Sequence, residues 1–576
     1  MRKVVLINML FLVFAILLSA CEALGTPPET SDGTSPALLA TSTKDEPEAT
    51  TLIEETATPL SEVQETPSPT PEEQISMLWI NSNLPGEYVS ALPELNEVAL
   101  TESEAEADYK LDYLQGGGHS EWVYALVAPF KTTTDEVSFE TLSVFWKGGS
   151  GFPAQSLTMT KGTLQAMELL FGEAKLKVNL ISNEADIAHN FETPGAWAIV
   201  GFESLSPFFK VIAIDGQSPI HKAFDLSVYP LKVSIGLEIV GDANDDDFAK
   251  LYSTINEVLA ESMPVSNRGE DKLATVIMTG VTAMVRATAK EMEIKGVLYP
   301  GEDVREVLRE ADITHISNEI PFYSYCPEPQ WTQDTLKFCS DPRYIDLLLD
   351  IGTDVVDLTG DHFADFGSEA MYETLDIYKE NNLPYFGGGR DIEEAKTPVK
   401  FEVNGNKIAF IGCNGKEAGY ATVSHSNPGA YSCDMDYMIE AIHQLVSDGY
   451  LPIVTFQHFE YYHWGAEQEL IEDFRLVAEA GAVIVSGSQG HQPHAYEFHD
   501  SAFIHYGLGN LFFDQLNIYS DTDKAFIDRF VFYDGKLISV ELITTKFYDW
   551  SKPVIVVGED REVMLQMLFE VSDWKD

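Results

Sequence analysis

The chain has 576 residues, 45% hydrophobic and 11% aromatic, which is long enough for more than one domain with a buried core. Its 92 acidic and 36 basic residues give a formal net charge of −56 at pH 7. Such a surface repels nucleic acid and anionic lipid headgroups, which argues against nucleic acid as a partner.

Residues 1–21 are predicted to be a lipoprotein signal peptide. A positive start is followed by an apolar run that is too short for a membrane span. The run ends Leu18-Ser19-Ala20-Cys21, which resembles the bacterial lipobox. This resemblance implies cleavage before Cys21 and lipid attachment to it, so we expect an extracytoplasmic protein anchored to the cell membrane by lipid. The alternative is an ordinary secretory signal that happens to end in Cys.

Residues 22–75 are rich in Thr, Pro, Glu and Ser, and they are predicted to be a disordered linker. Residues 76–265 are predicted to form a smaller α/β domain, with strands such as Glu121–Phe130 and a helix over Thr163–Phe171. The passage Trp197–Lys232 resembles the second lobe of bacterial extracellular solute-binding proteins of the phosphate- and molybdate-binding type. The resemblance implies a solute-binding-like domain, and an unrelated α/β spacer domain is the alternative.

Four cysteines follow Cys21, and an even number in an exported chain favours disulfides. Pairing of sequence neighbours gives Cys326–Cys339 and Cys413–Cys433, although three pairings are possible. A zinc site is less favoured, because neither pair has Cys-x-x-Cys spacing.

From residue 272 to residue 545, strands alternate regularly with helices, which predicts a layered α/β domain with a largely parallel sheet. Residues 546–576 are predicted to be a C-terminal extension. The predicted strands are Thr275–Met278, Asp354–Leu358, Ile408–Ile411, Ile453–Phe456, Val483–Val485 and Phe503–Tyr506. The predicted helices are Val304–Glu310, Tyr344–Ile351, one from Ser368 as its cap to about Lys379, Asp436–Ser447 and Gln468–Ala480.

Polar side chains that can bind metal lie in the loops of this domain. Because the carboxyl ends of parallel strands share one edge of a sheet, we expect five of them to converge. They are Glu319, Asp361, His362, His458 and His491. Carboxylate and imidazole ligands suit Mn, Fe or Zn, and a neighbouring His can protonate a leaving group. Each residue alone is typical of an ordinary loop, so the prediction of one shared site depends on their joint placement.

Residues 275–515 resemble the CapA family of poly-γ-glutamate capsule synthesis proteins, whose fold is like that of calcineurin-type metallophosphoesterases. The matching segments are Thr279–Arg286, Ser317–Glu319, Leu358–Gly367, Pro384–Gly389, His458–Glu460, Gly487–His491 and Leu508–Asn510. The resemblance implies a layered metallophosphoesterase-like domain. It also implies a surface protein that acts in capsule or poly-γ-glutamate synthesis or attachment, with an anionic envelope polymer or its precursor as partner.

The resemblance implies three groups of site residues. The predicted ligands of a divalent Mn, Fe or Zn ion are Glu319, Asp361, His458 and His491. The predicted catalytic residues are His362, as the acid, and Arg286. The predicted substrate-binding residues are Asn318, Glu460, Gln489 and Asn510.

Three positions depart from the family pattern. Val281 stands where the family has its first metal-binding Asp, Gln489 stands where it has the first His of His-Pro-His, and Asp361 stands where it has Asn. The loss of ligands should lower metal affinity, so one ion is favoured over two. Two alternatives to a metal-dependent hydrolase remain: a non-catalytic lipoprotein that binds a ligand or polymer, and a structural tether for capsule polymer.

Overall fold

The computed structural model describes residues 75–187, 191, 195–240, 246–416, 419, 421–488, 490–515 and 519–573. The predicted signal peptide with Cys21, the predicted linker up to residue 74, and Gln489 lie outside the described residues. No helix of the described part is long and apolar enough to cross a membrane.

The first region is built on one mixed sheet. Its strands are β1 Ser76–Ile80, β2 Val98–Thr101, β3 Tyr109–Leu114, β4 Ser120–Pro129, β5 Glu136–Val137, β6 Ser156–Thr160, β7 Val178–Ile181, β8 Ala196–Gly201, β9 Phe209–Ile214 and β10 Lys232–Ile239. The strands lie in the order β2-β1-β3-β10-β4-β8-β6-β7, and β9 pairs with β4 and β5. The described helices here are Gly86–Ser90, Phe139–Trp146, Lys161–Phe171 and Asp246–Ser262.

The local sequence accounts for two of the elements predicted in this region. Strand β4 is buried along nearly its whole length, as its continuous apolar run predicts for a central strand. The helix Lys161–Phe171 begins after Thr160, whose hydroxyl accepts a hydrogen bond from the Thr163 amide. It ends at Gly172, which has a φ of 81°. The α/β fold class predicted for this region is confirmed.

The second region begins at β11 and holds the remaining strands. They are β11 Leu273–Met278, β12 Val281–Thr282, β13 Ile313–Asn318, β14 Val355–Asp357, β15 Tyr385–Phe386, β16 Gly388–Gly389, β17 Val399–Val403, β18 Asn406–Asn414, β19 Gly429–Ala430, β20 Leu451–Gln457, β21 Ile484–Gly487, β22 Tyr496–His499, β23 Ala502–His505, β24 Asn510–Phe512, β25 Lys524–Tyr533, β26 Lys536–Phe547 and β27 Pro553–Ile555. The described helices are Arg286–Lys295, Arg305–Glu310, Ile345–Asp350, Gly367–Glu380, Ile392–Ala395, Met435–Ser447, Gln468–Glu479 and Gly558–Val571.

Two main sheets make up this region. One has the order β15-β14-β13-β11-β25-β26-β27, with β12 paired to β13 and β24, and the other has the order β17-β18-β20-β21-β23-β22. The strands β11, β13, β14 and β15 run parallel to one another, and so do β18, β20, β21 and β23. Antiparallel strands complete both sheets.

The hydrophobic cores show how the layers are stacked. One core contains Val276 and Val355 from the first of these sheets together with Phe410 and Phe503 from the second, so the two sheets pack face to face. A second core joins the first sheet to helices such as Gly367–Glu380. A third core joins the second sheet to the helices Met435–Ser447 and Gln468–Glu479. The layers are therefore helix, sheet, sheet and helix, which confirms the layered α/β fold class predicted for this region.

The structure corrects three details of the predictions. The predicted single sheet is two sheets, each parallel at its centre. Asn318 ends a buried strand, β13, which is absent from the predicted strands. The helix predicted to begin with Ser368 as its cap begins at Gly367 after Phe366, with no side-chain cap. Both predicted disulfides, Cys326–Cys339 and Cys413–Cys433, are present.

The first and second regions share a packed boundary. Leu273, Val531 and Ile538 of the second region belong to the hydrophobic core of the first. Ion pairs cross the same boundary: His221 Nε2 lies 2.9 Å from Glu541 Oε1, and Arg561 Nε lies 2.7 Å from Asp135 Oδ2. The two regions therefore meet through both apolar and charged contacts.

Candidate metal centre

The candidate site lies where the carboxyl ends of strands from both sheets of the second region meet. Glu319 directly follows β13, and Asp361 and His362 lie in the loop after β14. Lys416 lies just beyond β18 in the opposite sheet, and Gln457 is the last residue of β20. The site thus receives side chains from two sheets, although its residues were predicted to lie at the edge of one.

Three of the predicted site residues form a compact group of ligand atoms. Glu319, Asp361 and His362 each offer one such atom, and these atoms lie within 4.8 Å of one another. The Nε2 atom of Gln457 donates to Asp361 Oδ1 at 3.0 Å and approaches Glu319 Oε1 at 3.5 Å. Glu319 is only 2% exposed. Glu319 is therefore shielded from solvent, and an amide from the second sheet holds Asp361 in place.

An ammonium group lies on the other side of Asp361. The Nζ atom of Lys416 is 2.7 Å from Asp361 Oδ2 and 3.6 Å from Glu460 Oε1. Burial alone would lower the pKa of Lys416, but Asp361 outweighs burial and raises it. Burial would likewise raise the pKa of Asp361, but Lys416 and then His362 outweigh it and lower that pKa. Both partners are therefore held in their charged forms.

His362 is oriented by a second carboxylate. Its Nδ1 atom lies 2.7 Å from Asp365 Oδ2, and the same oxygen accepts a hydrogen bond of 2.7 Å from the Phe338 amide. Burial would lower the pKa of His362, but the bond to Asp365 and the charges of Glu319 and Asp361 raise it to about 9. Because Nδ1 is engaged, Nε2 is the nitrogen available to an ion.

The pKa of Glu319 is shifted in the opposite direction from the pKa of Asp361. Burial raises the pKa of Glu319, while the nearby imidazoles of His362 and His491 lower it by less. A cation beside Glu319 would reverse the effect of burial, because it favours the charged carboxylate. The buried carboxylate is therefore a group whose charge a bound cation would stabilise.

His491 faces the same site from the loop after β21. Its Nδ1 lies 2.9 Å from Asn510 Oδ1, and the amide nitrogen of Asn510 donates to the carbonyl oxygen of His491 at 2.9 Å. The pairing makes Nδ1 the protonated nitrogen and leaves Nε2 at 3.8 Å from Glu460 Oε2. The hydroxyl of Tyr462 donates to that same Glu460 oxygen at 2.6 Å. Asn510 therefore positions His491, and Glu460 lies between His491 and Lys416.

Both ring nitrogens of His458 and the amide nitrogen of Asn318 are turned to other partners. His458 Nδ1 accepts from the Phe459 amide at 3.0 Å, and its Nε2 lies 3.1 Å from Asp473 Oδ2 on the helix Gln468–Glu479. Asn318 donates through Nδ2 to the hydroxyl of Tyr378 at 2.7 Å. The structure thus does not bring His458 or the amide nitrogen of Asn318 into the group of ligand atoms.

Arg286 begins the helix Arg286–Lys295 and is paired with Asp514. Its Nε donates to Asp514 Oδ1 at 3.1 Å, and Asp514 Oδ2 accepts from the Ala287 amide at 2.9 Å. The guanidinium lies 5.1 Å from the ring centre of Phe338 and 4.7 Å from that of Phe513. Burial raises the pKa of Asp514 to about 6 despite this partner. These contacts fix Arg286, which has a φ of 47°.

Two of the three positions that depart from the family pattern, Val281 and Asp361, lie in the described part of the chain. Val281 is buried in a small apolar cluster with Ile320 and Phe513, and its side chain offers no donor atom. Gln489 lies outside the described residues. Asp361 supplies a charged carboxylate that is bonded to Lys416 and Gln457.

Lys416, Gln457 and Asp365 belong to the site but were not predicted from the sequence. A signal was present for Gln457, which directly follows the predicted strand Ile453–Phe456, whereas Lys416 comes five residues after the predicted strand Ile408–Ile411. Asp365 stands three residues after His362, where the loop can turn back on itself. No local pattern showed that Lys416 would reach Asp361.

The comparisons with known proteins agree on the second region. Residues 275–515 match the family model of the bacterial capsule synthesis protein PGA_cap. The chain is 26% identical over 319 residues to the capsule biosynthesis protein CapA of Bacillus anthracis. The aligned residues cover 54% of this chain and 76% of that protein. This part of the chain belongs to the CapA family. The PGA biosynthesis protein CapA of Bacillus subtilis (strain 168) is 26% identical over 263 residues, with 44% of this chain and 67% of that protein covered.

Solved structures show weaker likenesses. The NAD nucleotidase NadN of Haemophilus influenzae is 12% identical, covers 52% of this chain and 56% of its own, and has a TM-score of 0.30. The 5′-nucleotidase precursor of Thermus thermophilus is 13% identical, covers 52% and 58%, and has a TM-score of 0.30. An ABC-type phosphate transport receptor from Vibrio cholerae is 15% identical, covers 33% and 100%, and has a TM-score of 0.26. These scores are too low to support an argument about ligand or activity.

The donor set of the CapA region fits one divalent ion. Two carboxylates and one imidazole, with ligand atoms within 4.8 Å of one another, supply the mixed oxygen and nitrogen donors that Mn, Fe and Zn accept. A proton on His362 would compete with the ion for Nε2. The Lys416 ammonium already supplies a positive charge beside Asp361 Oδ2.

Proposed function

We propose that this chain acts in capsule or poly-γ-glutamate biosynthesis at the cell surface, by metal-assisted hydrolysis or transfer on an anionic envelope polymer or its precursor. The biosynthetic role is supported by the CapA family membership of residues 275–515. The chemistry is carried by one observation, the group formed by Glu319, Asp361 and His362. The surface location is supported by the lipobox-like sequence at Cys21 and by the two disulfides, which are typical of oxidising compartments.

The residues of the site would have different roles in such a reaction. A divalent ion held by Glu319, Asp361 and His362 would act as a Lewis acid toward a substrate oxygen. Asp365 orients the ring of His362 so that Nε2 points to the ligand group. His491, fixed at Nδ1 by Asn510, has Nε2 placed to take or give a proton. Because His362 lies among the ligand atoms, we assign proton transfer to His491.

The test uses the full chain, solubilised from membranes. Metal content would be measured by mass spectrometry, and turnover would be measured on phosphoester and γ-glutamyl model substrates with and without Mn²⁺. Wild type should bind one ion and turn over a substrate, and Glu319→Gln should lose both. Glu402→Gln, an exposed change of the same kind on β17, should retain both. A folded wild-type chain that binds no metal and turns over no substrate would refute the proposal.

One observation favours a second candidate function, a non-catalytic polymer-binding lipoprotein. The charge of Asp361 is already balanced by Lys416 and His362, so Asp361 needs no ion to balance it. In that case the chain should retain polymer on the cell surface, and polymer length should not change when Glu319→Gln replaces wild type. A change in polymer length would favour the hydrolase or transferase.

A further inference from the structure

We infer that the Lys416 ammonium is a built-in cation that occupies the side of the site between Asp361 and Glu460 and keeps a second divalent ion out. The centre then works with one ion and one ammonium group. The inference deepens the proposed function, on which it depends for the first ion. Its basis is the position of Nζ, 2.7 Å from Asp361 Oδ2 and 3.6 Å from Glu460 Oε1.

The backbone holds Lys416 firmly at this position. The Lys416 amide donates to Asn414 Oδ1 at 2.9 Å, and the amide nitrogen of Asn414 donates to the carbonyl oxygen of Thr359 at 2.8 Å. Gly415 approaches His458 so closely that a Cβ there would lie 2.8 Å from its ring. The turn is thus tied to the loop after β14, which carries Asp361, and the lysine side chain is only 7% exposed.

The charges around Lys416 explain why a cation belongs there. Glu319, Asp361 and Glu460 bring three carboxylates into one shielded site, and uncompensated buried charge is costly. An ammonium is a compact point charge that neutralises carboxylates without needing the geometry of a metal. A second divalent ion would have to sit against that ammonium at short range, and like charges repel strongly in a shielded site.

The arrangement also specifies the class of substrate group. With one divalent ion held by Glu319, Asp361 and His362, the Lys416 ammonium beside Asp361 would add a second positive charge for a group with two acceptor oxygens. A carboxylate or a phosphoryl group meets this requirement. Because Lys416 is a fixed part of the chain, its charge is present even when the metal is removed.

The experiment compares Mn²⁺ binding isotherms of the full chain by calorimetry after removal of metal with a chelator. Lys416→Met should bind one more Mn²⁺ than wild type, or bind Mn²⁺ at least about tenfold more tightly. Lys416→Gln keeps a donor for Asp361 while removing the charge, so it should show the same gain if the Met variant does not fold. Lys400→Met removes a surface lysine paired with Asp448 at 3.6 Å and should match wild type.

The outcomes separate the two proposals. If the folded Lys416 variants and wild type give identical isotherms, the inference is overturned, while a wild type that binds one ion still supports the proposed function. If wild type binds no Mn²⁺ and the Lys416 variants bind one ion, the one-ion function fails, and the inference fails with it because the ammonium would then exclude the first ion. A wild type that binds two ions would overturn the inference outright.

Discussion

His362 Nδ1 lies 2.7 Å from Asp365 Oδ2, and this oxygen is shared with the amide of Phe338. Phe338 directly precedes Cys339, whose disulfide to Cys326 closes a loop with a sequence separation of 13 residues. The orientation of a candidate metal ligand therefore depends on a carboxylate that a disulfide-closed loop helps to hold.

Replacement of Asp365 by Asn should weaken Mn²⁺ binding by about 10–100-fold, because a carboxylate bonded to the far nitrogen of a metal-binding imidazole orients the ring and raises its basicity. Calorimetric titration of the full chain measures this directly. Asp376→Asn is the matched control, since Asp376 pairs with Arg390 at 2.6 Å on an exposed helix face. Unchanged affinity in Asp365→Asn would show that Asp365 does not support a metal ligand.

Removal of the Cys326–Cys339 disulfide by a double Cys→Ser change should lower the free energy of unfolding by about 3 kcal/mol, the usual effect for a loop of this length. It should also weaken Mn²⁺ binding, because the Phe338 amide is no longer held against Asp365. Urea unfolding and Mn²⁺ titration measure the two effects. When the change is combined with Asp365→Asn, the losses in Mn²⁺ affinity should not add. Additive losses would mean that the loop acts by another route.

His491→Gln should lower kcat by about a hundredfold or more, because Nε2 is the nitrogen placed to transfer a proton. The metal content should stay at the wild-type level, since His491 lies outside the group of ligand atoms. His458→Gln provides the contrast, because both nitrogens of His458 are bonded away from the site. Loss of bound metal in His491→Gln, or an equal loss of kcat in His458→Gln, would contradict these roles.

The boundary between the two regions should make stability depend on pH. Glu541 has its pKa lowered to about 2, since burial, which would raise it, is outweighed by His221 and Arg529. Burial would lower the pKa of His221, but Glu541 raises it. The pair therefore stabilises the fold most at roughly pH 5 to 6.5. Above this window, stability falls as His221 loses its proton through its raised pKa, and below it stability falls as Glu541 is protonated.

Thermal unfolding midpoints measured from pH 3 to pH 9 test this pH dependence. Removal of the charge pair by His221→Gln should flatten the profile above about pH 6. His499→Gln, which removes another pair between His and a carboxylate at 3.1 Å, should leave the profile as in wild type because the carboxylate of that pair, Glu479, is exposed. A wild-type profile in His221→Gln would assign the pH dependence to other groups.

Phe503→Ala should cost about 3–5 kcal/mol of unfolding free energy, because a large side chain is removed from the core between the two sheets. Phe503 is 0% exposed and packs 5.8 Å, ring centre to ring centre, from both Phe130 of the first region and Phe530. Val446→Ala, at an exposed helical position, should change stability by less than about 0.5 kcal/mol. Equal effects of the two changes in urea unfolding would contradict the layered packing.

The elements that could be predicted from the sequence are those with a local signal. The strands β11, β18 and β20 have apolar runs, and their buried residues lie where the runs predict. Strand β13 was missed because four of its six residues, Thr314, His315, Ser317 and Asn318, are polar and yet buried. Burial of such residues depends on hydrogen bonds that distant parts of the chain supply, as from Asn318 to Tyr378.

Less of the site than of the fold could be predicted from the sequence. Strand-end placement brought Glu319, Asp361 and His362 to one edge, but it did not fix where each side chain points. His458 stands at a strand end and turns to Asp473 on the following helix. The Lys416–Asp361 contact joins residues 55 apart in the sequence. The two residues follow strands that belong to different sheets. Pairing of strands into sheets is likewise non-local, so the two sheets could not be told from one.

The two disulfides adjoin different parts of the site, so its maturation would depend on an oxidising compartment. Cys339 adjoins Phe338, and Cys413 lies on β18 just before the turn that carries Lys416. A newly made chain in a reducing compartment would lack both covalent links. We therefore expect the centre to mature only after export and oxidation, so that a polymer-modifying activity would be silent while the chain is still inside the cell that makes it.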